Sequence, residues 1–421
     1  MAQAQVGDIP RTLPATAPGP APDLPAPPTT RPPSFHAVLR HRYCSRLLLA
    51  SLAGRLPLGM VPIALILAAK AEGHSLATAS LLAAVYGVTP ALGLPVLGRM
   101  ADLRGLPLPC HLGAVLTAAA LAILALAGTS SLPIAFACAA LAGAGCPPVE
   151  GGLRSLWPTL LPDAAHVRTA YALDSSTQEI VYVTGPAIAI AAATLLSPTA
   201  ALALAAAATL AGTWVFATAR PVRIWRAICR RPDRLGALRP PAMRPLLAAL
   251  IFLGATIGAL DVAGIVASEK HDAAWLAGAL PATFSAAGLV GGALFVRVQP
   301  TTAPRPRHLI ALAALFTACW LPMLAPAPPV VILLFAMLPG AMFVPLLTVA
   351  SLTLTSLAPP GTSTEAVGWL SSAMRLGLAA GTALAGPLGG HFSVPLLAAA
   401  LCALLLTART APAPFPKTAT L

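Results

Sequence analysis

Charge is scarce in this chain: Asp, Glu, Lys and Arg make up 9% of its 421 residues, and aromatic residues only 5%. Soluble domains carry roughly 25% charged residues, so this deficit, with 57% hydrophobic residues and a mean hydropathy of +0.81, excludes a soluble globular fold and places the chain in a membrane. Cysteine is sparse too. The seven cysteines include no C-x-x-C pair and imply neither a disulfide framework nor a zinc site, so they read as apolar filler. There is no G-x-x-x-x-G-K-[ST] phosphate loop, no G-x-S-x-G elbow, no H-E-x-x-H and no metal-spaced His/Cys cluster. ATP-driven transport and enzyme chemistry lose their usual signatures, and no cofactor or metal is expected.

What is present is long apolar runs. Helical spans read at 47–69, 76–97, 108–128, 131–150, 168–195, 199–219, 245–267, 275–297, 308–326, 328–355, 365–389 and 392–409, separated by Gly, Pro and Ser-rich breaks. A bilayer admits only helices or closed barrels, and runs of this length without dyad alternation exclude the barrel. The expected fold is all-α and integral to the membrane, with twelve helices. Residues 1–40 form a proline-rich arm, with ten prolines before Phe35 and no apolar run, which predicts disorder and no signal peptide.

The formal charge of +13 raises the question of nucleic acid, but its distribution answers against it. Arginines cluster in alternate linkers: Arg40, Arg42 and Arg46; Arg99 and Arg104; Arg154 and Arg168; eight from Arg220 to Arg244; Arg297, Arg305 and Arg307. With these spans, 22 of 26 basic residues fall on one side, Lys70 and Lys270 on the other, and Arg55 and Arg375 inside spans. This positive-inside bias predicts both termini in the cytoplasm of a multi-pass plasma-membrane protein.

The basic linker 221–244 divides the chain into six-helix bundles at 41–220 and 245–410, followed by a tail at 411–421. A faint echo supports two repeats, because Gly185-Pro186 recurs as Gly386-Pro387, and Leu97-Gly98-Arg99 matches Phe295-Val296-Arg297. In such architectures the substrate site lies near the midplane between the repeats.

The segment Gly98-Arg-Met-Ala-Asp102-Leu-Arg104-Gly105 resembles the G-x-x-x-D-[RK]-x-G-[RK]-[RK] signature of the major facilitator superfamily, in the loop between its second and third spans. The resemblance covers nearly the whole chain. Leu103 and Leu106-Pro107 stand where basic residues are usual. In the family this loop is a conformational latch, which assigns switching to Gly98, Asp102, Arg104 and Gly105. Physically, Gly98 allows close helix approach, Asp102 can accept at a helix end, and Gly105 permits a tight turn. Gly185-Pro186, Gly377-x-x-x-Gly381 and Gly386-Pro387 resemble the glycine-proline signature of drug and metabolite antiporters, a pliable contact expected between the halves. The run Pro147-Pro148-Val-Glu150-Gly-Gly-Leu-Arg154-Ser-Leu-Trp157-Pro158, with Tyr171-Ala-Leu-Asp174 and Glu179, is similar to uncharacterised bacterial efflux-type members. There Arg154 and Trp157 serve equally well as interfacial anchors or functional groups.

The charges inside spans carry the chemistry, since a carboxylate at the bilayer centre costs roughly 2.5 to 3.5 kcal/mol even on lenient scales. They are Arg55, Asp174, Glu179, Asp261 and Arg375. Arginine keeps its proton, so Arg55 and Arg375 act as counter-ions or hold an anionic substrate group. Three acids against two guanidiniums leave one acid free to carry a proton; Glu179 is the first candidate, then Asp261 and Asp174, with Gln178 and Tyr182 offering further polar groups on span five.

These residues predict a monomeric secondary transporter exchanging protons for a small, partly apolar molecule, with partners limited to substrate, protons and lipid. A nutrient importer or facilitator of the same fold is the alternative. A membrane sensor or scaffold is the reading from another class.

Overall fold

The computed structural model describes residues 33–226, 235–273, 275–298 and 306–407; the side chains of Leu76, Ala77, Glu179, Val183, Val296, Arg297, Val298 and Pro306 lie outside the described set. All regular structure among the described residues is helical. Ten segments are long and apolar enough to cross a bilayer: Cys44–Ala71, Thr78–Arg104, Pro107–Ala127, Leu132–Leu160, Ala164–Leu195, Pro198–Ala217, Met243–Lys270, Leu276–Phe295, Arg307–Leu324 and Pro329–Leu357. Ser363–Ala385, made more polar by Glu365, Arg375 and its serines, and the 15-residue Ser393–Thr407 complete two sets of six. They are called spans one to twelve in chain order. Leu92, Leu126 and Leu404, all more than half exposed, belong to the apolar surface that such a protein presents to lipid.

Several boundaries differ from the sequence reading, each for a local reason. Span one is broken at Leu56, because Pro57 starts a new helix and leaves Arg55 in the last turn of Cys44–Arg55, where the helix dipole favours a cation. Span four does not end near residue 150. The helix Leu132–Ala144 stops before Pro147-Pro148, and the chain re-enters helix at Val149–Leu160, carrying Glu150 and Arg154 into the protein interior. Arg154, expected in a linker, is therefore a buried span residue. Span five begins at Ala164, capped by Asp163, whose carboxylate accepts the His166 N–H at 2.8 Å and is held below its ordinary pKa by that bond. The proline-rich arm lies outside the described residues up to position 32, and Phe35–Arg40 form a helix capped by Ser34. Within the basic linker, Arg220–Ile224 and Gly236–Leu238 form short helical turns, and 227–234 lie outside the described residues.

The two halves repeat one packing device. In the first, a Cβ on Gly185 of span five would stand 2.7 Å from the Cα of Gly59 in span one. In the second, Gly377 and Gly381 of span eleven press on Ile251 and Ala255 of span seven, while Gly254 and Gly258 press back on Met374 and Leu378. The glycine-proline segments expected to join the halves thus pack inside each half, because these glycines face the neighbouring span of their own bundle. Pro186 is inside its helix, whereas Gly386 and Pro387 follow the end of span eleven at Ala385 and are exposed.

Gly185→Leu is expected to destabilise by about 1 to 3 kcal/mol through overpacking. Gly87→Ala, at a helical position with open space around the Cβ, should be neutral or slightly stabilising. Equal melting temperatures for the two purified variants would rule out the close contact at Gly59.

Candidate functional site: a cavity between the two halves

A closed ion network forms the floor of the site. Asp174, fully buried, accepts from Arg55 Nη2 at 2.9 Å through Oδ1 and from Arg154 Nε at 2.6 Å through Oδ2. Arg55 also donates to Thr177 Oγ1 at 3.0 Å and Gln178 Oε1 at 3.3 Å, and Arg154 pairs with Glu150 one turn earlier at 3.1 Å. Glu150 lies 3.8 Å from Arg55, closing a quartet of two acids and two guanidiniums. Each charge in it has an opposite neighbour. A buried carboxylate held between two arginines suits static bridging, since removing its charge would strand both cations.

The quartet belongs to the first half but reaches into the second. Arg154 Nη1 donates to Ser351 Oγ of span ten at 3.2 Å, and Ser371 of span eleven donates to Glu150 Oε2 at 3.2 Å. Sequence reasoning passed over Glu150 as a site residue, although its i, i+4 spacing from Arg154 on a helix was a usable signal.

Above this floor opens a cavity of about 570 Å³ walled by both halves. Ile63, Gln178, Tyr182 and Pro186 line it from the first half; Asp261, Phe284, Phe343 and Arg375 line it from the second. Its wall is mostly apolar, with Asp261 and Arg375 as the charges outside the quartet. Among the described residues neither makes a hydrogen bond or an ion pair, so the two sequence candidates for charge pairing behave differently: Arg55 is bound in the quartet, Arg375 faces open space. Glu179 follows Gln178 in the same helix, but its side chain lies outside the described residues.

At one end, residues of the expected latch segment meet the start of span eleven. Asp102, at the end of span two, accepts the backbone N–H of Thr364 at 3.1 Å and of Glu365 at 2.8 Å. Span eleven has no side-chain cap of its own at Thr362, so Asp102 takes up its orphan N–H groups and faces the positive end of its dipole. Gly98 makes this approach possible, since a Cβ there would stand 2.7 Å from the Thr364 carbonyl oxygen. Ser155 bonds Ser363 at 3.1 Å and Thr364 at 3.0 Å, and Ser372 donates to the Ala91 carbonyl at 2.8 Å. Gly105, at φ 90°, turns the chain into span three, while Arg104 is exposed and has no hydrogen-bond or ion-pair partner among the described residues. Glu365 reaches the central linker, accepting the Ala237 N–H at 3.2 Å.

The comparisons agree with this architecture. Residues 47–382 match the family described as the Major Facilitator Superfamily. Among solved structures, the chain is similar to the human organic anion transporter MFSD10 (TETRAN), with 16% identity, a TM-score of 0.63, and coverage of 86% of this chain and 98% of that one. It is also similar to a bacterial homologue of the iron transporter ferroportin in an outward-facing state with soaked iron, with 15% identity, a TM-score of 0.64, and coverage of 87% and 99%. No protein with a curated description matches. A membrane-spanning helical chain with a cavity between two six-helix halves, matching the family over most of its length, is a transporter and not an enzyme, and it belongs to the Major Facilitator Superfamily.

Proposed function

We propose that this chain is a monomeric, proton-coupled exporter of a small, partly apolar molecule in the plasma membrane, with both termini and the Asp102 seal on the cytoplasmic side. The observation that carries the reading is Asp261: a half-buried acid in the wall of the central cavity, with no cation fixed to it among the described residues. An acid so placed is free to alternate between a proton and substrate, whereas Asp174, clamped by Arg55 and Arg154, is not. The cavity floor and the Asp102 contacts close the cytoplasmic side, which supports an outward-open state in which external protons reach Asp261 and displace substrate. Opening of the seal then exposes Asp261 to the cytoplasm, where loss of the proton readmits substrate. Glu179 remains the second proposed carrier from the sequence, and Gln178 and Tyr182 the polar groups that orient the cargo.

A dye and antibiotic panel in a pump-deficient host identifies a carried compound. Its accumulation in everted vesicles is expected to lose at least tenfold of its pH-gradient-driven rate in Asp261→Asn. An unchanged pH dependence in Asp261→Asn, with loss in Glu179→Gln, would move the carrier to Glu179; retention in both would end the proton-coupled reading.

A further inference from the structure

The two cavity charges without a partner among the described residues stand at different depths, and that separation defines a ligand. Arg375 presents five N–H donors, none used by a described residue, and the described titratable groups acting on it are Tyr182, Cys146, Tyr86 and Glu150. Only Glu150 among them is acidic, and it is already held by Arg154 and Ser371. Among the described residues, no charged group acts on Asp261.

Their relative level follows from the packing of spans seven and eleven, which run parallel. A Cβ at Gly254 would stand 3.0 Å from the Cα of Met374, the residue before Arg375; at Gly258 it would stand 2.7 Å from the Thr382 backbone nitrogen. With Gly377 against Ile251 and Gly381 against Ala255, Arg375 therefore lies at the level of Gly254 or up to about a turn before it, and Asp261 seven or more residues further along, roughly 10 Å or more at 1.5 Å per residue. Ile257, Leu260, Leu378 and Phe284 line the wall of the same cavity. The wall thus presents an anion receptor deep, a cation receptor nearer the open end, and apolar surface.

We propose that the cavity takes a zwitterionic amphiphile, with its anionic group on Arg375, its amine on Asp261, and an apolar body of roughly 10 Å between them. A ligand with one charge leaves the other receptor unpaired in an apolar cavity, which is the costly arrangement for a buried ion; a zwitterion satisfies both. The inference rests on the exchange reading, and specifies it: amine and proton compete for the same carboxylate. Asp174, Arg55, Arg154 and Glu150 take no part, because their charges are closed among themselves.

The test is calorimetric binding to the purified chain, with no gradient present, of 8-aminooctanoate, octylamine, octanoate and 4-aminobutanoate. We expect 8-aminooctanoate to bind at least tenfold more tightly than either single-charge compound, and 4-aminobutanoate, too short to reach both receptors, to show no such gain. Arg375→Gln should reduce 8-aminooctanoate to the affinity of octylamine, and Asp261→Asn to that of octanoate. Octylamine binding retained by the first variant and octanoate binding by the second show that each still folds. The proposal is overturned if the zwitterion has no advantage, or if its advantage survives both substitutions. Should Asp261-dependent, pH-driven transport persist without that preference, the exchange reading stands and the zwitterion alone falls.

Discussion

Asp174→Ala is expected to destabilise the protein by about 3 to 5 kcal/mol, the usual penalty for removing one partner of a buried ion pair. The reason lies in what remains. Arg55 and Arg154, each only 2% exposed, would face one another across the space left by the carboxylate, and Glu150 would be the one acid of the quartet left to share between them. Asp174→Asn keeps a side-chain acceptor but not the charge, and should fall between. The informative control is removal of the whole set, Arg55→Met, Glu150→Leu, Arg154→Leu and Asp174→Leu together. Replacing a complete buried network by apolar groups of similar volume is often nearly neutral, so this variant should melt closer to wild type than Asp174→Ala does. Thermal unfolding of detergent-purified protein measures both. Asp174→Ala melting within about 1 kcal/mol of wild type would show that the network does not hold the first half together.

The second large effect is expected at the seal. Asp102→Ala removes a carboxylate that accepts two backbone N–H groups at the start of span eleven, leaving them without a cap while the Asp102 end stays closed. Hydrogen bonds to a charged group contribute about 1.5 to 3 kcal/mol; one such amount lost from the closed state shifts the balance toward opening by roughly 10- to 150-fold. Ser155 reports this directly, since it is bonded to Ser363 and Thr364 across the halves. Its cysteine replacement should react with a membrane-impermeant thiol reagent at least tenfold faster when Asp102→Ala is added. Asp102→Asn retains one acceptor oxygen and should give a smaller increase. Equal rates in all three backgrounds would remove Asp102 from the latch.

Both effects rest on contacts that no reading of the chain in one dimension reveals. Arg55 and Asp174 are 119 residues apart, and Asp102 and Thr364 are 262. The sequence does mark each of these residues as unusual: a charge within an apolar run has to be balanced, and a Gly-x-x-x-Asp at a span end suits close approach. It does not say by what. The count of intramembrane charges also missed one acid and one guanidinium, because Pro147-Pro148 looked like the end of span four. The helix resumes at Val149, and Arg154 is buried beside a half-buried Glu150 because each supplies part of the other's neutralisation. The two omissions offset in charge.

The glycines divide in the same way. Their enrichment in spans seven and eleven announces close helix contacts, and repetition between the halves is visible as Gly-Pro echoes. Which helix each glycine touches is a matter of rotation about the helix axis, and a fraction of a turn sends Gly185 toward Gly59 of its own half and not across the cavity. Gly98 and Gly368, by contrast, face the opposite half, against Thr364 and Leu94.

By itself, then, the sequence determined that this is a membrane protein of about a dozen helical spans, divided at a basic linker into two halves and marked by the latch segment. Each of those properties is carried by composition or by residues close together in the chain, where hydropathy, charge bias and turn chemistry act locally. Only the tertiary structure decided which buried charges neutralise one another, that Asp102 caps span eleven, and that Arg375 and Asp261 are left facing a common cavity. Those outcomes depend on which faces of distant helices meet, and for a buried charge that meeting determines whether it fixes the fold or stays available to bind.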